Sequence, residues 1–141
     1  MGSTSTADAS PGSRPLVLFV EDDRDTLDLY VLVFQREGFD VVTADDGAAA
    51  IQQAAEYLPD VIVMDLALPQ TDGWDATRQI KLDPRTAHIP VVACTAHAYA
   101  THLSRATEAG CDVVLTKPCA PEDIIREIRK VLHDKPVPRA R

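Results

Sequence analysis

Carboxylates, a hydroxyl and an ammonium group stand directly after short apolar runs of this sequence. Glu21 and Asp22 follow the first run, Asp65 follows the third, and Thr95 and Lys117 follow the last two. A carboxylate beside a buried segment is costly unless it is paired or binds a metal ion, and oxygen donors favour Mg²⁺. A carboxylate held near Mg²⁺, a lysine and a hydroxyl can accept a phosphoryl group. We therefore predict phosphoryl transfer onto a carboxylate.

The apolar runs that position these residues predict a parallel sheet. They cover residues 16–20, 41–44, 61–64, 91–94 and 113–115. They are rich in valine and do not alternate with polar residues, which is typical of strands covered on both faces. Successive runs begin 20 to 30 residues apart, which leaves room for a helix and two loops. We predict an α/β fold: a doubly wound (βα)5 domain of flavodoxin-like type, with five parallel strands in the order 2-1-3-4-5.

Apolar stripes with helical spacing lie between the predicted strands. The stripes are Leu27, Tyr30, Val31 and Phe34; Ile51, Ala54, Ala55 and Leu58; and Ile124, Ile128, Val131 and Leu132. Pro121 suits the first turn of the last helix, and Gly38 and Gly110 suit left-handed caps. Residues 99–109 hold few large apolar side chains, so we expect the helix there to be the least firmly packed. Ligands of such sheets bind at the carboxyl ends of the strands, where the candidate residues stand.

The charge pattern also favours a cation site. Residues 21–46 contain nine acidic and two basic residues, although a solvated acidic face would have the same composition. The net charge of −8 disfavours nucleic-acid binding. No apolar run approaches the roughly 18 residues of a membrane span, and the N-terminus lacks a secretory pattern. We expect no membrane partner and a cytoplasmic location.

The three cysteines, Cys94, Cys111 and Cys119, show no metal-binding spacing. We therefore expect each of them to be a small buried hydrophobic residue in a reducing compartment.

Strand order brings Asp22 and Asp65 together. Two like charges about 4 Å apart repel by about 4 kcal/mol at an effective dielectric near 20, so a cation is the simplest compensation. Capping of the following helix is an alternative for Asp22 or Asp23. Lys117 has the alternative of an ordinary ion pair. The loop after the first strand is acidic and lacks glycine, which argues against a nucleotide site.

The chain resembles the receiver domain of two-component response regulators over about residues 15–134. The segments that carry the resemblance are Val20-Glu21-Asp22-Asp23, Asp65-Leu66-Ala67-Leu68-Pro69, Asp72-Gly73, Ile89-Pro90-Val91-Val92, Thr95-Ala96, Ala109-Gly110 and Leu115-Thr116-Lys117-Pro118. The resemblance implies that Asp65 is the phosphoacceptor and that Thr95 and Lys117 bind the phosphoryl group. It also implies a Mg²⁺ site made of Asp22, Asp65, Glu21 through water, and the backbone carbonyl of Ala67.

The resemblance implies partners and a mode of action. A sensor histidine kinase or a histidine phosphotransfer protein would supply the phosphoryl group, and an unknown downstream protein would bind the switched form. The domain would act as a signalling module and not as an enzyme. It departs from the family at Val114, where an aromatic residue usually stands, and at Cys119, where phenylalanine often follows Lys-Pro. The usual coupling of the threonine to that aromatic residue is therefore in doubt.

Two other functions remain open at this stage. An aspartyl-phosphate hydrolase would need a second aspartate at the position of Ala67, which counts against it. A receiver-like scaffold that never takes phosphate would not need Glu21, Asp22, Asp65 and the other matching residues. We expect residues 1–14 to be a flexible leader and residues 135–141 a short tail, around a receiver that is stand-alone or part of a longer protein.

Overall fold

Strands and helices alternate along most of the chain. The computed structural model describes residues 14–66, 73–95 and 109–134. The strands are β1 (Leu16–Val20), β2 (Asp40–Ala44), β3 (Val61–Asp65), β4 (Val91–Thr95) and β5 (Val113–Thr116). The helices are α1 (Arg24–Arg36), α2 (Gly47–Tyr57), α3 (Gly73–Leu82) and α4 (Pro121–Asp134). Each predicted strand is present, and four of the five extend one residue beyond the predicted run.

All five strands are parallel, and their order is β2-β1-β3-β4-β5, which confirms the predicted fold class and topology. The register brings the carboxyl ends level. Val20 pairs with Met64, Asp65 pairs with Cys94, and Thr95 pairs with Thr116. Polar residues at or just after these ends are therefore placed at one edge of the sheet.

Two apolar clusters cover the two faces of the sheet, which explains why the strands do not alternate. Leu18, Ile62 and Met64 face the cluster that includes α2 and α3 side chains. Val17 and Val63 face the other cluster, with side chains of α1 and α4. Every residue of β3 is buried. Burying a large aliphatic side chain contributes about 1.5–3 kcal/mol relative to leaving it exposed, so β3 is firmly anchored in the core.

The predicted helix signals hold with one exception. Gly38 and Gly110 have φ angles of 98° and 105°, as left-handed caps require, and α4 begins at Pro121. Leu58 was expected on the buried stripe of α2, which is wrong. It lies just past the helix, 41% exposed, with φ 48°, because the chain turns there into β3.

Some predictions fall outside the described residues. Nearly all of the expected helix at 99–109 lies there, as does the predicted tail. The predicted leader lies there too, except for Arg14, whose Nε donates to Asp40 Oδ1 at 3.0 Å. Within the described ranges, no helix combines the length and the apolar character needed to cross a bilayer.

Candidate functional site

Three carboxylates meet at the carboxyl edge of the sheet. Glu21 and Asp22 follow β1, Asp65 ends β3, and one oxygen from each lies within 4.8 Å of the others. Asp65 is buried, Glu21 is partly buried and Asp22 is exposed. The predicted proximity of Asp22 and Asp65 is therefore confirmed. We call Glu21, Asp22 and Asp65 the acidic trio.

Lys117 supplies a positive charge to the acidic trio. It lies in the loop after β5, and its Nζ is 3.2 Å from Asp65 Oδ2. The lysine side chain is 38% exposed and the aspartate side chain 8% exposed. Burial tends to lower the pKa of the Lys117 ammonium, but the charge and hydrogen bond of Asp65 and the charge of Glu21 together outweigh burial and raise this pKa above its ordinary value. The lysine therefore stays charged beside the carboxylate.

One ammonium faces three carboxylates at this site, and the pKa of the Glu21 carboxyl reflects both burial and these neighbouring charges. Burial raises the pKa of the Glu21 carboxyl, and the charge of Asp65 adds to the rise. The backbone N–H of Asp23, which donates to Glu21 Oε2 at 3.0 Å, and the charge of Lys117 oppose it only in part. A hard divalent cation would relieve this repulsion, and a set of carboxylate oxygens is the donor chemistry that Mg²⁺ prefers. The residues present thus fit a Mg²⁺ ion.

Asp23 has a separate structural role. It is the N-cap of α1, and its Oδ2 accepts from the backbone N–H of Thr26 at 3.0 Å. Hydrogen bonds from Thr26 also lower the pKa of the Asp23 carboxyl. The helix-cap alternative therefore applies to Asp23, as left open from the sequence.

Two predicted site residues are less fully described. Thr95 ends β4 and pairs with Thr116, which directly precedes Lys117. Ala67 lies outside the described residues. The roles given to both remain predictions. Val114, at the position where the family usually has an aromatic residue, packs partly buried against the core cluster under α2 and α3.

The start of α3 lies directly against the end of β3. A Cβ atom at Gly73 would lie 2.5 Å from the Asp65 carbonyl oxygen and 2.7 Å from Leu66 Cα. Trp74, the next residue, is 7% exposed and belongs to the core. Glycine is therefore required at position 73 because two backbones approach closely there, which the sequence indicated only through the Asp72-Gly73 segment.

A cavity of about 660 Å³ adjoins the trio and was not expected from the sequence. Its lining includes Tyr30, Cys94, Cys119, Asp65 and Lys117. The Tyr30 hydroxyl donates to the Cys119 carbonyl at 2.8 Å, which ties α1 to the loop after β5. The helical stripe had predicted only an apolar role for the tyrosine.

The prediction that all three cysteines are buried holds for Cys94 only. Cys111 and Cys119 are partly buried. Cys119 stands in the loop that also carries Lys117, at the wall of the cavity, and Cys111 lies just before β5. A strand position buries Cys94, whereas the other two sit in connecting segments.

An open parallel sheet with an acidic trio and a lysine at the carboxyl ends of its strands defines a class of doubly wound α/β domain. The family model described as the response regulator receiver domain matches residues 17–129. The chain belongs to this family, and the resemblance found in its sequence is confirmed. It is thus a receiver domain of two-component signalling.

Known proteins agree with this assignment. The chain is 32% identical over 118 residues to the polar-differentiation response regulator DivK of Brucella anthropi, covering 84% of this chain and 96% of that protein. The receiver domain of the sensor histidine kinase PA1611 of Pseudomonas aeruginosa is 27% identical, with a TM-score of 0.79, over 86% of this chain and 99% of that one. That structure has a magnesium ion coordinated in its active-site cleft. CheY4 of Vibrio cholerae, 24% identical, shares the fold with a TM-score of 0.78 over 84% of this chain and 98% of that one.

Proposed function

We propose that Asp65 accepts a phosphoryl group, with Mg²⁺, from a sensor histidine kinase or a histidine phosphotransfer protein. One observation carries the proposal: the acidic trio lies within 4.8 Å, and Lys117 Nζ lies 3.2 Å from Asp65 Oδ2. Asp65, the proposed acceptor, thus lies beside two carboxylates that can help to bind Mg²⁺, and it contacts the ammonium group of Lys117. The switched domain then binds a downstream protein.

The chemistry follows from these positions. An Asp65 carboxylate oxygen forms a bond to phosphorus while the phosphorus–nitrogen bond of the donor phosphohistidine breaks, and the bonding pair stays with the imidazole nitrogen. When bound by the acidic trio, Mg²⁺ would offset the negative charge of the carboxylates and the phosphoryl oxygens. Lys117 already contacts Asp65, so it can bind a phosphoryl oxygen there without leaving the site. Thr95 is proposed to donate its hydroxyl to another phosphoryl oxygen.

The proposed activity is self-modification and not catalysis of many turnovers. Support comes from the family, whose members accept the phosphoryl group on their own side chain. A phosphate-ester hydrolase would instead release phosphate in excess over the protein. A scaffold would take no phosphate at all.

The test is phosphorylation by acetyl phosphate. Wild type incubated with Mg²⁺ and acetyl phosphate should gain the mass of one phosphoryl group, and EDTA should prevent the gain. Asp65→Asn should show no gain. Asp23→Asn is the matched control, since it also removes a carboxylate beside the site but keeps a side chain that can cap α1, and it should be modified like wild type.

Three results would count against the proposal. An unmodified wild type would favour the scaffold, and a fully modified Asp65→Asn would place the phosphoryl group elsewhere. Phosphate released from an ester over many turnovers would favour the hydrolase.

A second experiment concerns the donor. Modified and unmodified protein should be compared for capture of a phosphotransfer protein, the expected class of donor.

A further inference from the structure

Two cysteines lie side by side at the wall of the cavity beside the acidic trio. Cys94 belongs to β4 and is only 6% exposed, whereas Cys119 is partly buried in the loop after β5. Both line the cavity, and Cys119 packs against the apolar cluster that contains Cys94. The third cysteine, Cys111, is not part of this pair, because it packs against the apolar cluster on the other face of the sheet.

The fold fixes both members of the pair. Cys94 pairs with Asp65 on one side and with Leu115 on the other, and its carbonyl accepts from Leu66 N at 3.1 Å. The backbone of Cys119 is held by the Tyr30 hydroxyl, 2.8 Å from its carbonyl oxygen. The Cys119 thiol also donates to the Thr116 carbonyl, with the sulfur 3.3 Å from the oxygen. The backbone framework therefore holds both cysteines at the same edge of the sheet and at the wall of the same cavity.

The two thiols differ in the way that a reactive pair requires. The hydrogen bond from Cys94, aided by the charge of Lys117, lowers the pKa of the Cys119 thiol to about 7. Burial and Asp123 oppose this effect without cancelling it. Cys94, by contrast, is buried in β4. Because the thiolate is the nucleophile, Cys119 is the attacking sulfur, and Cys94 is a thiol within reach of it.

We propose that Cys94 and Cys119 form a dithiol site that hydroperoxides oxidise to a disulfide. The Cys119 thiolate attacks one peroxide oxygen, the oxygen–oxygen bond breaks, and hydroxide leaves to give the sulfenic acid. The Cys94 sulfur then attacks the Cys119 sulfur, the sulfur–oxygen bond breaks, and water leaves with the Cys94 proton. In total two thiols and one hydrogen peroxide give one disulfide and two waters, with sulfur oxidised and peroxide oxygen reduced.

This disulfide would join β4 to the loop that carries Lys117. It needs no phosphoryl group, so the site is independent of the proposed phosphorylation of Asp65. It adds a chemical property to two residues that the sequence predicted only as small hydrophobes.

The test uses the full chain and hydrogen peroxide. After treatment, the protein is unfolded and its free thiols are alkylated and counted by mass spectrometry. Wild type should lose two of its three alkylatable thiols. Digestion should yield a peptide pair joined through Cys94 and Cys119, and dithiothreitol should reverse the link. Wild type should be oxidised equally well in EDTA with no phosphodonor present, which separates this chemistry from phosphorylation.

Cysteine variants complete the test. Cys111→Ser is the matched control and should still form the disulfide. Cys94→Ser should form no internal disulfide and should instead give a sulfenic acid at position 119 that dimedone traps. Should that variant unfold, Cys94→Ala replaces it, and the wild-type peptide map decides in any case. A bridge that includes Cys111 would overturn the proposal. So would a wild type that keeps all three thiols under peroxide that consumes free cysteine in the same solution.

Discussion

Asp22→Ala should abolish Mg²⁺-dependent phosphorylation and yet stabilise the fold when metal is absent. Asp22 is exposed, and one of its oxygens lies within 4.8 Å of oxygens of Glu21 and Asp65. A like-charge pair at about 4 Å costs about 1 kcal/mol at the dielectric of water and about 4 kcal/mol at an effective dielectric of 20. The exposure of Asp22 favours the lower figure for each of its two pairs. Lys117 attracts Asp22 and offsets part of the repulsion. We expect a net gain of about 1–2 kcal/mol.

Thermal melts measure this gain. For a domain of this size it corresponds to a rise of about 3–8 °C in Tm with EDTA present. Excess Mg²⁺ should raise the wild-type Tm by mass action, because the unfolded chain lacks the assembled site, and it should do little for the variant. Asp28→Ala is the matched control, since it removes an exposed carboxylate of α1 outside the acidic trio. It should keep the wild-type response to Mg²⁺.

Two results would refute the reasoning. If Asp22→Ala melts below wild type in EDTA, the side chain is needed for the structure and charge repulsion is not the dominant effect. If the variant still gains stability from Mg²⁺ as wild type does, Asp22 is not a ligand. The phosphorylation assay on the same samples shows whether loss of the Mg²⁺ response and loss of modification have one origin.

Two further perturbations are informative. Gly73→Ala should lower the free energy of unfolding by about 1–3 kcal/mol and also slow phosphorylation, because the added Cβ would meet Asp65 O and Leu66 Cα. An unchanged Tm would show that α3 moves away freely. Alkylation of Cys119 by iodoacetamide should rise through a midpoint near pH 7, because only the thiolate reacts and the pKa of that thiol is about 7. Burial raises the pKa of Cys111 to about 11, so that thiol should react only at much higher pH, and equal profiles would contradict the assignment.

Sequence reasoning succeeded where one local signal determined the outcome. Valine-rich runs predicted the strands because a strand covered on both faces must be apolar throughout. The order of the strands then placed Asp22 beside Asp65, and it placed Lys117 at the same edge, where it can pair with Asp65. Gly38 and Gly110 were predicted correctly because few residues other than glycine adopt a positive φ easily.

It failed where the outcome depends on contacts between distant parts of the chain. The Tyr30 hydroxyl reaches a carbonyl 89 positions away, and no local pattern reveals such a contact. The Cys94–Cys119 pair arises because β4 and the loop after β5 meet at one edge, although neither cysteine has a motif. Leu58 fitted the helical stripe, but the turn into β3 ended α2 one residue earlier.

The full burial of β3 has a consequence for how the site responds to a change of charge. Asp65 ends β3, which is buried and lies between β1 and β4. The backbone amides of β3 should therefore exchange with solvent deuterium only through global unfolding. Lys117 comes from a loop and is 38% exposed, so its surroundings can open locally at much lower free energy. Asp65, the proposed acceptor, is thus the fixed point of the site. Any rearrangement that follows a new charge on Asp65 must be a displacement of the groups around it.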